Sequence, residues 1–176
     1  MLGLLAVAIA YLLGSVPFGY LLVKFASGAD VRESGSGNIG ATNVLRTAGR
    51  ATGAATLILD IAKGFAAVWL ASALTDDAPQ WTSLAALAVM AGHAFPVFLK
   101  FEGGKAVASF IGAFAFLTPL PLSLVMLLFI VAVAVTRHIS VGSILAAATF
   151  PFGVWIILHP PAQITAAAFV AGAFVV

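Results

Sequence analysis

Long apolar stretches alternate with short polar or Pro- and Gly-rich breaks along the whole chain. This pattern predicts about seven transmembrane helices, at residues 2–23, 52–74, 81–99, 106–117, 122–136, 141–158 and 162–176. A helix that crosses the bilayer needs about 20 residues, so the fourth and fifth segments are short and must tilt or be covered by neighbouring helices. We therefore expect an all-α, polytopic integral membrane protein, with residues 1–176 forming a single membrane-embedded domain.

Composition and charge support this expectation and give the chain an orientation. Of the 176 residues, 62% are hydrophobic and 8% are charged, whereas soluble domains carry about 25% charged residues. Because the sequence has no cysteine, disulfides and thiolate metal sites are excluded. Alternate loops carry the basic residues Lys24, Arg32, Arg46, Arg50, Lys100, Lys105 and Arg137, and the loops between them carry none. The positive-inside rule then makes the basic loops cytoplasmic and puts the N-terminus outside.

The chain ends at Val176, within the last apolar run and without a polar flank. Membrane spans usually end in polar or aromatic residues at the interface. The sequence therefore predicts a C-terminal truncation.

The first cytoplasmic patch, residues 34–46, reads Ser-Gly-Ser-Gly-Asn-Ile-Gly-Ala-Thr-Asn-Val-Leu-Arg. Glycines allow backbone N–H groups to turn toward one point and form an anion-binding nest, to which hydroxyl and amide side chains add donors. Arg46 adds a two-pronged grip on phosphate oxygens. The alternative is a flexible linker, but a linker has little use for the apolar Ile39, Val44 and Leu45, so we favour the anion site.

The same patch matches the spacing of the dinucleotide-binding fingerprint, Gly35-x-Gly37-x-x-Gly40, and Asp60 follows Gly40 by 20 residues. That fingerprint requires a strand before it and a βαβ unit around it. Because a predicted membrane helix precedes the patch here, we reject a nucleotide site.

Two further patches open into predicted spans: Lys-Phe-Glu-Gly-Gly-Lys at 100–105 and Arg-His-Ile-Ser-Val-Gly-Ser at 137–143. The free N–H groups and positive dipole of a helix start favour an anion beside Gly104, and Lys105 adds a full charge. Alone, Lys105 would be an ordinary membrane-entry lysine; on the same face as the first patch, it predicts a second anion pocket. Ser143 is a candidate polar contact in the third patch.

Three ionisable residues lie inside the predicted spans. Asp60 and Lys63 share one face of the second span, and an unpaired charge at the bilayer centre costs about 2.5–3.5 kcal/mol. We therefore predict a structural ion pair in preference to a proton or ion relay. His93, near the cytoplasmic end of the third span, is either a possible general base or a structural histidine bonded to a neighbouring helix.

Several motifs together resemble those of the acyl-phosphate-dependent glycerol-3-phosphate acyltransferases of bacteria, the PlsY family. They are Tyr-Leu-Leu-Gly-Ser-Val-Pro-Phe-Gly-Tyr at 11–20, Ser-Gly-Asn-Ile-Gly-Ala-Thr-Asn at 36–43, Asp-Ile-Ala-Lys-Gly at 60–64, Gly-His-Ala-Phe-Pro-Val-Phe at 92–98 and Gly-Gly-Lys at 103–105. The resemblance implies a seven-helix enzyme of the bacterial inner membrane with a cytoplasmic active site. It implies acyl transfer from acyl phosphate to glycerol 3-phosphate, giving lysophosphatidic acid and phosphate for phospholipid synthesis, without a metal, a cofactor or a nucleic acid.

The sequence departs from the family in four places. Ala106 stands where the family usually has glycine, His138 where tyrosine is common, and Glu102 where a basic residue is frequent. The family also carries a cytoplasmic segment with His, Asn and Arg after the seventh helix, which is not in this chain.

We expect two phosphate cradles, because both substrates carry phosphate. Ser36, Gly37, Asn38 and Arg46 would form one, and Gly104 and Lys105 the other, with Asn43 and Ser143 as further substrate contacts. Lys105 and Ser36 are the expected catalytic residues, since Lys105 or backbone N–H groups can stabilise an oxyanion. The acyl chain would lie in a groove between helices, and a substrate phosphate would accept the proton.

The alternative from another class is a transporter for phosphate or a phosphorylated small anion. Transporters place their sites near the bilayer midplane, often between inverted repeats. Asp60 and Lys63 suit such a site, but the glycines and basic residues cluster at one face and no repeat is visible. We therefore favour the acyltransferase.

Overall fold

The computed structural model of the protein describes residues 1–175. Val176, the last residue of the seventh predicted span, lies outside the described residues, as do the side chains of Ile139 and Ser140 in the third polar patch. Within the described range, the regular structure consists of nine α-helices and two short 3-10 turns. The helices are α1 Leu2–Ser15, α2 Phe18–Ser27, α3 Ala41–Ala48, α4 Arg50–Thr75, α5 Pro79–Ala94, α6 Val107–Leu117, α7 Pro119–Thr136, α8 Ile139–Leu158 and α9 Ala162–Phe174, and the turns are Val31–Glu33 and Val97–Leu99.

The helices follow the apolar segments, and the predicted all-α fold is confirmed. Six of the seven predicted spans correspond to one helix each, α4 to α9. By length and composition, five stretches of the described chain are long and apolar enough to cross a membrane, whereas α6 and α9 are shorter apolar helices. The count of seven crossings and the outside N-terminus stay predictions.

The structure differs from the sequence-based expectation at two places near the N-terminus. The first predicted span is broken between α1 and α2, because Pro17 has no N–H and forces the preceding Val16 into an extended conformation. The first polar patch is a bent loop only as far as Gly40, after which α3 forms. This helix ends at Gly49, whose φ of +89° favours glycine.

Glycines at the crossing points allow α1 to pack closely against α5, and α4 against α6. A Cβ at each of these glycines would collide with the facing backbone: Gly14 with Val89, Gly92 with Tyr11, Gly64 with Ser109, and Gly112 with Ile61. Small residues are typical of helix contacts in membranes, where close packing drives association. The crossings bring the polar side chains of α4, α5 and α6 next to one another.

The C-terminal half of the bundle is apolar and more loosely enclosed. Phe110, Phe114 and Phe150 pack with ring centroids 5.0 Å apart and join α6 to α8. In the spans of α7 and α8, 22% of the residues are buried, compared with 56% in the span Pro79–Leu99. The α7–α8 hairpin therefore presents mostly apolar side chains outward, as lipid-facing helices do.

Candidate active site

The loop before α3 is folded around the side chain of Asn43, which is 3% exposed. Its Oδ1 accepts a hydrogen bond from the N–H of Ser36 at 2.9 Å. Its Nδ2 lies within 3.2 Å of three carbonyl oxygens of the loop, those of Val31, Ser34 and Asn38. The sequence places Asn43 among the substrate contacts; in the structure its carboxamide is taken up by the loop backbone, which it holds in one shape.

The glycines and small polar residues of this loop face outward. Gly35 and Gly37 have φ values of +62° and +72°, in the left-handed region that favours glycine. Ser36 and Gly37 are exposed, and Asn38 is half-buried, with its Oδ1 accepting the N–H of Gly40 at 2.7 Å. Arg46 is exposed on α3. The predicted nest of free backbone N–H groups is not present here, because the N–H groups of Ser36, Gly37 and Gly40 donate within the loop. The loop instead presents small polar side chains and a cation to the surface.

The second glycine-rich segment meets the first at Gly104. Its N–H donates to the carbonyl oxygen of His93 at 3.0 Å, and α6 begins only at Val107, so the prediction of a free N–H at a helix start is wrong for Gly104. A Cβ on Gly104 would collide with Nε2 of His93 and would lie 3.2 Å from Oδ1 of Asn38. Lys105, the next residue, is exposed. Asn38 and Gly104 therefore lie beside each other where the two segments approach. The predicted phosphate-binding residues of the two segments are called the anion face below: Ser36, Gly37, Asn38, Arg46, Gly104 and Lys105.

An ion-pair bridge, which the sequence analysis missed, also spans these two segments. Arg32 donates to both carboxylate oxygens of Asp30, with 2.6 Å from Nη2 to Oδ2, and its guanidinium lies 5.3 Å from the ring centre of Tyr20. Its Nη1 lies 3.8 Å from the carboxylate of Glu102. The side-chain hydrogen bond from Arg32 lowers the pKa of Asp30 to about 2. In the sequence, the Asp-x-Arg spacing could have indicated the pair of Asp30 and Arg32. No sequence pattern indicated Glu102 as the second partner of Arg32.

Inside the bundle, four polar side chains form a buried cluster of Asp60, Lys63, His93 and Ser109, each no more than 5% exposed. Asp60 and Lys63, expected to pair, lie 2.8 Å apart between Oδ1 and Nζ, and the same Nζ donates to the carbonyl of Val16 at 2.9 Å. Nδ1 of His93 lies 3.2 Å from Oγ of Ser109 and 3.5 Å from Oδ1 of Asp60. The cluster thus connects the break between α1 and α2 with α4, α5 and α6.

The backbone bends sharply between Leu99 and α6. Lys100, Phe101 and Ala106 have φ values of +55°, +67° and +57°, which non-glycine residues adopt only at a cost. Ala106 is 1% exposed. Its left-handed backbone is a conformation that glycine adopts without strain.

An apolar groove of about 210 Å³ opens between α6, α7 and α8. Its wall begins at Val107, two residues beyond Lys105, and includes Phe110 and Leu122. Ser143, the candidate contact of the third patch, lies on this wall and is half-buried. Among the described residues, no group of three or more His, Asp or Glu side chains is placed to hold a metal ion.

Comparisons with known proteins agree with one another. The profile of the family described as "Glycerol-3-phosphate acyltransferase" matches residues 4–176. The glycerol-3-phosphate acyltransferase of Desulforamulus reducens is 51% identical over 151 residues, covering 85% of this chain and 73% of that protein. That of Trichlorobacter lovleyi is 47% identical over 176 residues, covering 99% and 89%.

Two solved structures are similar along nearly the whole chain. The crystal structure of PlsY (YgiH), an integral membrane glycerol 3-phosphate acyltransferase, in its glycerol 3-phosphate form gives a TM-score of 0.89 at 34% identity, covering 98% of this chain and 86% of that one. The lysophosphatidic acid form gives 0.88 at 32% identity, covering 98% and 85%.

Proposed function

The chain belongs to the glycerol-3-phosphate acyltransferase family, and on that premise we propose that its reaction takes place on the anion face, with acyl phosphate as the donor. It is an integral membrane enzyme that transfers a fatty acyl group to glycerol 3-phosphate. The products are lysophosphatidic acid and phosphate, and the reaction serves phospholipid biosynthesis.

The observation that carries the proposal is the proximity of Asn38 to Gly104. Each lies in a glycine-rich segment, and each segment brings an exposed cation, Arg46 or Lys105. Both substrates carry a phosphate dianion, so a site for this reaction must hold two anions close enough for their other ends to react. A surface made of two joined anion-binding segments meets that need.

The chemistry requires little beyond positioning and charge. The glycerol hydroxyl oxygen attacks the carbonyl carbon of acyl phosphate, a new C–O bond forms, and the bond to the phosphate oxygen breaks. The electron pair leaves with phosphate, and the hydroxyl proton passes to a substrate phosphate oxygen. Because acyl phosphate is already activated, orientation of the two reactants supplies most of the rate.

Lys105 and Ser36 are the catalytic residues in this proposal. Lys105 stabilises negative charge on the carbonyl oxygen or on the leaving phosphate, and Ser36 donates to a phosphate oxygen. Asn38 and Arg46 bind the phosphate groups through their side chains. The N–H groups of Gly37 and Gly104 already donate to the carbonyl oxygens of Ser34 and His93, so these two glycines shape the segments. Asn43 acts through the loop: its hydrogen bonds to backbone hold Ser36 and Asn38 in place.

The apolar groove suits the acyl chain. Its wall starts two residues after Lys105, so a chain whose carbonyl lies on the anion face enters the groove directly. Phe110 closes part of the wall and is fixed by Phe114 and Phe150. Ser143 would then contact the polar end of the chain.

We place the enzyme in the bacterial inner membrane, as one membrane-embedded domain with the anion face toward the cytoplasm. The basic residues on the loops of this face support that orientation, because such residues stay on the cytoplasmic side. Soluble glycerol 3-phosphate then reaches the site from the cytoplasm, and the acyl chain from the bilayer.

The test is an assay of purified protein with palmitoyl phosphate and glycerol 3-phosphate. We expect lysophosphatidic acid and phosphate in equal amounts, and no product when palmitoyl-CoA replaces the acyl phosphate. Arg46→Ala and Lys105→Ala should each reduce kcat/KM at least about 100-fold without lowering the melting temperature. Arg50→Ala, which removes an exposed arginine at the start of α4, is the control and should keep full activity. Normal turnover in both site variants would refute these assignments.

A further inference from the structure

The buried cluster touches the anion face at one point, the ring of His93. Two groups face its Nδ1, the hydroxyl of Ser109 at 3.2 Å and the carboxylate of Asp60 at 3.5 Å. A carboxylate beside one ring nitrogen favours the proton on that nitrogen and leaves the other as an acceptor. Asp60 and Ser109 therefore set both the orientation of the ring and its tautomer.

The opposite edge of the ring sets the path of the glycine-rich segment. Nε2 of His93 lies where a Cβ of Gly104 would be, and Gly103 has no room for a Cβ either, because the His93 carbonyl occupies that space. The N–H of Gly104 also donates to that carbonyl at 3.0 Å. The segment thus lies directly on His93, and Oδ1 of Asn38 lies beside the same position of Gly104.

The packing of this bundle does not require charged side chains at the buried cluster. At the other crossings, glycine against backbone is sufficient, as at Gly14 with Val89. A buried ion pair is seldom more stabilising than apolar side chains of the same volume. Lys63 compensates the charge of Asp60. The Asp60 carboxylate also lies beside Nδ1 of His93.

From this geometry we propose that Asp60 and His93 are positioning residues for the anion face: Asp60 fixes the His93 ring, and the ring fixes Gly103 and Gly104 beside Asn38 in the arrangement that binds the phosphate of glycerol 3-phosphate. The proposal rests on the proposed function, because it concerns the same surface. Neither residue contacts the reacting atoms; both act through the Gly103–Gly104 backbone.

The test separates positioning from folding with a charge-free pair. Asp60→Asn alone leaves Lys63 buried without its counter-ion, and that variant is expected to fold poorly. The double variant D60N/K63M removes both charges together and keeps the side-chain volumes, so it should fold. We expect it to keep a melting temperature near that of the wild type, to bind glycerol 3-phosphate at least 10-fold more weakly by calorimetry, and to raise KM for glycerol 3-phosphate more than it lowers kcat.

Two variants on α5 sharpen the result. His93→Leu removes the polar ring but fills much of its space, and should raise KM for glycerol 3-phosphate like the double variant. Ser83→Ala is the control, because Ser83 is a buried hydroxyl on the same helix without a hydrogen-bond partner among the described residues. It should leave KM and binding unchanged.

The outcomes separate the positioning role from the proposed reaction. Wild-type binding and KM in both D60N/K63M and His93→Leu would overturn the positioning role and leave the cluster purely structural. A wild-type chain that binds glycerol 3-phosphate but produces no lysophosphatidic acid would overturn the proposed reaction, while weaker binding in the variants would still support positioning. A wild-type chain that does not bind glycerol 3-phosphate would overturn both.

Discussion

The buried cluster and the anion face contain similar residues in opposite circumstances. Lys63 is 5% exposed and has two fixed partners, the carboxylate of Asp60 and the carbonyl of Val16. Lys105 is exposed, two residues before α6. A charge in the low-dielectric interior must be compensated by the protein itself, whereas a charge at the surface is compensated by water until a ligand arrives. The same residue type therefore maintains structure in one region and, in the proposed function, binds ligand in the other.

The largest expected effect on stability comes from replacing Lys63 with alanine, compared with the same replacement at Lys105. Lys63→Ala leaves the Asp60 carboxylate buried without its cation, which costs about 3–5 kcal/mol of unfolding free energy. Thermal unfolding in detergent should show a large drop in melting temperature or a loss of folded protein. Lys105→Ala should unfold like the wild type and lose activity instead. Equal melting temperatures for the two variants would refute the comparison.

A smaller effect is expected where the two regions touch. Gly104→Ala puts a methyl group against Nε2 of His93, and the ring cannot move away because Ser109 and Asp60 hold its other edge. Displacing the segment by about 1 Å should reduce kcat/KM for glycerol 3-phosphate about 100-fold. Steady-state kinetics at varied glycerol 3-phosphate would measure this loss.

The matched control for that substitution is Gly153→Ala on α8, where a Cβ meets nothing within 4 Å. It should keep full activity and gain some stability, since alanine is favoured over glycine inside a helix. Full activity in Gly104→Ala would show that His93 does not constrain the segment.

The sequence predicted the elements of both regions better than their contacts. Apolar runs long enough to cross a bilayer show where helices form, and glycine-rich motifs show where the chain turns sharply. The spacing of Asp60 and Lys63 predicted their pairing, because both lie on one helix. The contact of His93 with Asp60 joins α5 to α4, and no local pattern in the sequence reveals a partner on another helix.

The same limit applies to the loops. The helix α3 has only eight residues, Ala41–Ala48, too few to show a helical period within a polar patch. Asn43 was predicted to bind substrate because amides are good donors; its burial follows from a loop that folds back on it, which composition does not reveal. Pro17 stands in the sequence, but the apolar run continues on both sides of it. The break between α1 and α2 was therefore not predicted.

The bend before α6 predicts a difference of about 1–2 kcal/mol in unfolding free energy between two alanine-to-glycine variants. Ala106 has φ of +57°, so Ala106→Gly relieves left-handed strain and offsets the loss of one buried methyl group. Ala108→Gly, two residues later inside α6, brings no such relief and costs about 1 kcal/mol of helix propensity. Denaturant unfolding in detergent should show Ala106→Gly as the more stable variant. Equal destabilisation by both would mean that Ala106 is unstrained.

The smallest expected effect concerns the ion pair beside the anion face, and it completes the comparison. Arg32→Gln removes a half-buried pair at the protein surface. It should lower the unfolding free energy by about 1 kcal/mol or less, far below the effect of Lys63→Ala. The pair still has a clear signature, because the hydrogen bond from Arg32 lowers the pKa of Asp30 to about 2 from an ordinary value of 3.8. A depressed pKa means that the pair contributes stability above about pH 4 and loses it as the pH falls toward 2. An NMR titration of the Asp30 carboxyl should therefore show a midpoint that rises toward 3.8 in Arg32→Gln. In Glu102→Gln the midpoint should stay low, since Glu102 lies near Nη1 of the guanidinium, away from Asp30. An unchanged midpoint in Arg32→Gln would rule out this pair as the cause of the lowered pKa.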